Sequence, residues 1–164
     1  MGVHVIKLFG AAILLALGGL FALRGGTVYL EGLRQAEGFL ALLRHIRERI
    51  ACYRTPTPEL FCNFQNAALR RAGILSAVGT GDFLGALAAS ADRLYLDGEE
   101  YRALSAFAAE LGSGFAEEEI ARCDLAIRRM EEAVTARRAA LPRAVRLHRT
   151  LSLSAAAALV LLLI

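Results

Sequence analysis

The chain has no tryptophan, three prolines and three cysteines among its 164 residues. Lysine occurs once, at Lys7, so nearly all the positive charge is arginine. Cys52, Cys62 and Cys123 are widely spaced and odd in number. That pattern fits neither a disulfide framework nor a zinc site. The three are expected as small, reduced core residues, which favours a cytosolic setting. The three histidines, His4, His45 and His148, have no Glu or Cys at metal-ligand spacing. Phosphate-loop, dinucleotide-fold and nucleophile-elbow patterns are missing. Glu99 and Glu100 are neighbours on a predicted helix, so they point in different directions and make a poor acid–base pair. No catalytic, cofactor-binding or metal-binding residue is assigned, and no small-molecule substrate is expected. A non-enzymatic binding or scaffold role is the expectation.

Acidic residues are missing from both ends. All 16 lie between Glu31 and Glu132. The net charge of +3 therefore traces to Lys7, Arg24, Arg143, Arg146 and Arg149, which flank the two most apolar segments. A nucleic-acid binder would gather its positive charge on a folded face. Here the charge lies where lipid headgroups would meet the chain, so these five residues are expected at a membrane interface.

What the chain has in excess is apolar surface. Hydrophobic residues make up 56% and the mean hydropathy is +0.46. Leu8 to Leu23 and Thr150 to Ile164 contain no charge. As helices they span roughly 24 Å and 22 Å, against a hydrocarbon core of roughly 30 Å. The first reaches the required length if the turn holding Lys7 also enters, with the ammonium snorkelling outward. Two rival readings stand beside the anchors. Ala16 and Gly18 have the small-residue spacing of a signal-peptide cleavage site. A core helix is the rival for the second segment, and it is disfavoured because Leu159 to Ile164 are apolar on every side. Both inner flanks are rich in arginine, and the positive-inside rule then places the middle of the chain in the cytoplasm. The expected organisation is an N-terminal transmembrane anchor over 1–24, a cytoplasmic helical domain over 25–141, and a basic collar with a C-terminal anchor over 142–164.

The middle reads as all-α, a bundle of about five to six helices between two transmembrane helices. Val28, Leu30, Leu33, Phe39, Leu42, Leu43, Ile46 and Ile50 form one apolar stripe. The segment Tyr-Arg-Thr-Pro-Thr-Pro ends it, because two prolines do not continue a helix. Thr57 is then an N-cap candidate for a helix from Glu59 to Ala72, stopped by Gly73. A third helix is expected from Asp82 to Leu94, with Leu84, Leu87, Ala88, Ala91 and Leu94 on its apolar face. Asp97 and Glu100 have capping-box spacing for a fourth, presenting Tyr101, Leu104, Phe107, Ala108 and Leu111 and ended by Gly112. The last helix carries Ile120, Cys123, Ile127, Met130, Val134 and Leu141 at spacings of three and four. Arg137 interrupts that seam. Glu117, Glu118 and Glu119 in its first turn read as a solvated helix start that suits the dipole. Pro142 is the one breaker before the C-terminal apolar run.

The order of these features resembles the stage III sporulation protein AB family. The pieces that carry the resemblance are RQAEGFLALLRHIRERI, YRTPTPELF, FAAELGSGFAEEEIARCDLAIRRMEEA, the basic collar and the terminal LVLLLI. The sequence departs at GSGFAEEE, where the family usually shows an Asp soon after the turn and a Gln later. The resemblance implies a domain similar to those of the platform proteins of type II secretion systems and type IV pili. It implies a membrane scaffold in the mother-cell membrane facing the forespore, with no activity of its own. Its implied partners are the cytoplasmic sporulation ATPase encoded beside it and other proteins of the same envelope complex, with self-association left open. Arg44, Arg47, Arg70 and Arg71, near the ends of the first two cytoplasmic helices, are the candidate contacts to an acidic face of that ATPase. A small membrane-anchored regulator or chaperone-like protein is the alternative reading.

Overall fold

A computed structural model of the chain describes residues 2–53, 56–80 and 82–163. Side chains are described from Thr27 to Arg143 apart from 53, 58 and 80, and at only some positions beyond. Six α-helices account for the described structure: α1 (Gly2–Tyr53), α2 (Ala67–Ala72), α3 (Ile74–Ala77), α4 (Phe83–Ser90), α5 (Gly98–Glu110) and α6 (Ala116–Leu163). Three short 3-10 turns, Thr57–Glu59, Val78–Thr80 and Ala91–Arg93, complete it, and no strand occurs among the described residues. The all-helical expectation holds. Residues 31–137 form one compact unit, and 1–30 with 138–164 form another. Among the described residues no helix is long and apolar enough to cross a membrane. The expected anchor over 1–24 and most of the C-terminal apolar run fall on side chains outside the described set.

The core of the 31–137 unit forms around the expected stripe. Phe39, Leu42, Leu43 and Ile46 on α1 have no exposed surface, and Leu104, Cys123, Met130 and Val134 meet them from α5 and α6. Burying each such side chain contributes about 1.5–3 kcal/mol. Val28 and Leu30, expected on the same stripe, are exposed. Arg44 pairs with Glu131 and Arg47 with Asp124, so α1 and α6 run antiparallel within this unit. Phe83 sits between Phe61 and Phe107, with ring centroids 5.4 and 6.4 Å away.

Gly73 ends α2 with φ 89, Asp82 caps α4 through Gly85 N, and the Asp97–Glu100 capping box closes on both sides. Four expectations need correction. The helix over Glu59–Ala72, capped by Thr57, does not form. Thr57–Glu59 is a 3-10 turn, Asn63 takes φ 64, and Asn66 caps α2 by accepting from Ala68 N and Leu69 N. Burial of Leu60 and Phe61 in the core sets that path, and Asn tolerates the left-handed conformation that ends it. The third helix stops at Ser90 rather than Leu94, and of its expected face Leu87 is buried and Leu94 partly so. Phe83, Ala86 and Leu87 are buried, whereas Leu84, Ala88 and Ala91 are exposed. Of the cysteines, only Cys123 is a core residue; Cys52 and Cys62 are exposed, and all three are free. Finally, Arg137 does not merely break a seam. Its guanidinium forks onto Glu100, Nε to Oε1 at 2.6 Å and Nη2 to Oε2, while Glu100 Oε2 also accepts from Asp97 N at 2.9 Å.

A second buried polar device joins distant segments. Gln35, 2% exposed, donates through Nε2 to Arg93 O at 3.0 Å and accepts through Oε1 from Tyr95 N at 2.7 Å. This satisfies two backbone groups of the α4–α5 connection.

Candidate partner-binding surface

The four candidate arginines do not form one patch. Arg44 Nη2 lies 2.6 Å from Glu131 Oε1, and Arg47 Nε lies 2.5 Å from Asp124 Oδ1. The hydrogen bond and charge of Arg47 hold the Asp124 carboxyl below its ordinary range, and Asp124 in turn raises Arg47. Arg71 forks onto Glu31, which Arg34 also approaches at 3.7 Å. Glu31 and Arg44 are about 20 Å apart along α1 at 1.5 Å per residue. Arg71 therefore sits well away from Arg44 and Arg47. Arg70 is exposed and makes no ion pair among the described residues. Exposed pairs of this kind are worth about 0–1 kcal/mol, so each arginine can exchange its internal partner at little cost. Of the interface residues, Arg143 and Arg146 are exposed on α6. The side chains of Lys7, Arg24 and Arg149 lie outside the described residues.

A more organised surface forms where two motifs far apart in the chain meet. The Thr-Pro segment after α1 packs against the Leu-Gly turn between α5 and α6. Gly112 has φ +85, and a Cβ there would collide with Thr57 Oγ1, so only glycine permits both the backbone and the approach. Arg122 pins the turn from inside α6. Its Nη1 donates to Glu110 O at 3.1 Å, Ser113 Oγ at 3.0 Å and Glu119 Oε1 at 2.9 Å. Gly114 N donates to the same Glu119 oxygen at 2.9 Å. Glu119 is only 4% exposed, so one member of the expected solvated acid run is a buried structural carboxylate. Its spacing from Arg122 was the available signal, because residues three apart share a helix face.

This pinned turn holds Phe115 outward at 82% exposure, immediately before α6. Beside it is a pocket of about 300 Å³ lined by Ile50, Pro56, Thr57, Leu60, Leu111, Gly112, Gly114, Ala116 and Glu119. An exposed aromatic on a rigid turn beside a small apolar pocket has the make-up of a protein-contact site, because little ordering entropy remains to be lost on binding. Among the described residues no group of three or more His, Cys, Asp or Glu side chains is placed to hold a metal ion.

Comparison with known families decides the relationship. The family model described as stage III sporulation protein AB matches residues 81–164, just over half of the chain. The chain belongs to the stage III sporulation protein AB family. The matched region holds α4, α5, the pinned turn with Phe115 and all of α6. The Glu100–Arg137 fork lies wholly inside it, whereas α1 and the Thr-Pro segment precede it. No curated protein and no solved structure matches the chain. Membership carries a sporulation-related role.

Proposed function

We propose that this chain is a non-enzymatic membrane platform in a secretion-like envelope complex required for endospore formation, working with a cytoplasmic ATPase. The observation that carries the reading is the match to the stage III sporulation protein AB family. The layout of the chain supports it. A folded helical unit over 31–137 lies between two terminal segments that contain long uncharged runs with arginines on their inner flanks. The helical unit faces the cytoplasm of the mother cell, and its surface ion pairs and pinned turn are available to partners. The test is co-purification of the full-length chain with the ATPase from sporulating cells. Stoichiometric recovery is expected, and it should weaken when Arg70 and Arg71 are both replaced by Glu. A chain that recovers no ATPase under cross-linking would refute the platform reading.

A further inference from the structure

We propose that the groove between α5 and α6 takes a second copy of this chain, α5 of each copy lying on α6 of the other, with Arg102 of each paired to Glu132 of the other across a two-fold axis along the groove.

The groove has a volume of about 780 Å³, with walls from Asp97 to Ala106 on α5 and from Ala126 to Ala136 on α6. Leu104 and Met130, 1% and 2% exposed, close it on the core side. Ala103, Ala106, Ala133 and Ala136 also line it, so no bulky side chain holds an incoming helix away. At 1.5 Å per residue the α6 wall is about 15 Å long, close to three turns. That is the reach of a helix, and it exceeds what a single inserted side chain would fill.

The charges decide which helix. Of the charged lining residues, Asp97 and Glu100 are committed to the α5 cap and to Arg137. Glu99, Arg102, Arg129 and Glu132 remain, all exposed. Each helix thus carries an acid and an arginine three residues apart, a spacing that allows pairing within the helix. Neither pair closes, and none of the four has an ion-pair partner among the described residues. Arg102 donates through Nε to Gly98 O at 2.9 Å, which leaves its charge uncompensated. Elsewhere on α6, Asp124 and Glu131 are already taken by Arg47 and Arg44 of α1. Two acids and two arginines cancel, so the rim favours neither a strongly acidic nor a strongly basic partner, and it suits a surface of its own make-up.

The order of the signs fits a two-fold arrangement. Glu100 pairs with Arg137 and Glu110 with Arg122, so α5 and α6 run antiparallel. That register sets Arg102 and Glu132 at nearly the same height on opposite walls, yet they do not reach each other across the groove. Rotation by half a turn about an axis along the groove brings each onto the other's counterpart in the second copy. Two equal ion pairs result, as an isologous interface requires. Every neighbouring pair among the four helices is then antiparallel, the arrangement of an ordinary four-helix bundle.

The experiment is sedimentation equilibrium of the purified full chain in density-matched detergent, over about 1–100 μM. A reversible dimer is expected. Arg102→Glu and Glu132→Arg each set two like charges together and should weaken it about tenfold or more. The double variant carrying both changes restores opposite charges and should return the affinity to within about threefold. Ala106→Trp fills the groove from an exposed position and should abolish the dimer. All these side chains are exposed and free of ion pairs, and circular dichroism checks that each variant keeps its helix content. A dimer indifferent to the single reversals or to Ala106→Trp would overturn the proposal, because association would then run through another surface such as the apolar ends. So would a folded double variant that stays monomeric, or a chain monomeric throughout, which would leave the groove to another protein's helix. No ATPase enters the assay, so a failed dimer and a failed platform reading give separate results.

Discussion

Replacing Arg137 by Met tests how much the Glu100 fork contributes to the helical unit. The side chain of Glu100 is 4% exposed and that of Arg137 is 24% exposed. Removing one partner of a fully buried pair costs about 3–5 kcal/mol, because the other charge is left in a poor solvent. Two features lower that figure here. Glu100 keeps the hydrogen bond from Asp97 N, and the quarter-exposed site admits some water. About 2–3 kcal/mol is then expected for Arg137→Met, which keeps the length of the alkyl stem. For a unit of this size, about 1 kcal/mol moves Tm by about 4–8 °C, so the drop should be about 8–24 °C. Glu100→Gln is the matching change. Gln retains the capping-box bond, and Arg137 can turn to solvent, so its cost should be nearer 1 kcal/mol. The double variant should be more stable than the sum of the single effects predicts, by about 1–2 kcal/mol. The assay is urea and thermal unfolding of the full chain followed by circular dichroism. Costs that add to within about 0.5 kcal/mol would show that the fork carries no coupling, and the reasoning would be wrong.

Gly32→Ala should destabilise the same region by about 1–3 kcal/mol in the same unfolding assay. The new methyl would meet Arg137 Nη1 at 2.8 Å, which can move, and Tyr95 O at 3.2 Å, which is backbone and cannot easily do so. A thiol reagent at pH 8 should label Cys52 and Cys62 in the folded chain and spare Cys123 until denaturant is added, since Cys123 is buried. Burial, aided by Glu119 and Asp124, pushes the Cys123 thiol up to about 12 from 9.0. Its contribution to stability is therefore whole below pH 9.0 and is lost as pH rises toward 12, and Cys123→Ala should remove that alkaline loss in unfolding experiments. The Asp124 carboxyl is depressed below 3.8 by Arg47, so its contribution is present above pH 3.8 and is lost as pH falls through the depressed value. Asp124→Asn should flatten the acid limb of a stability-versus-pH curve, and an unchanged limb would remove this pair from the account.

Features that depend on neighbours within one helical turn are legible along the chain. The Asp97–Glu100 box, the Gly73 stop and the α6 seam of Cys123, Ile127, Met130 and Val134 are all of this kind. The Thr57 cap fails because two local signals compete. Thr57 and Asn66 are both capping residues, and burial of Leu60 and Phe61 decides for Asn66. The face of α4 is hard to read because an eight-residue helix rich in Ala and Leu has little contrast between its sides.

By itself, then, the sequence determined the all-helical class, most helix ends, the placement of charge inside the apolar termini and the family. Periodicity, capping and composition act over a few residues, and they can be read residue by residue. Only the tertiary structure decided that Arg137 meets Glu100, that Gln35 holds Arg93 and Tyr95, and that the four candidate arginines are dispersed. It also brought Thr57 onto Gly112 and left Glu119 Oε2 buried without a donor. These pairings join residues far apart in the chain, and their partners are chosen by which helix faces the shared apolar core draws together.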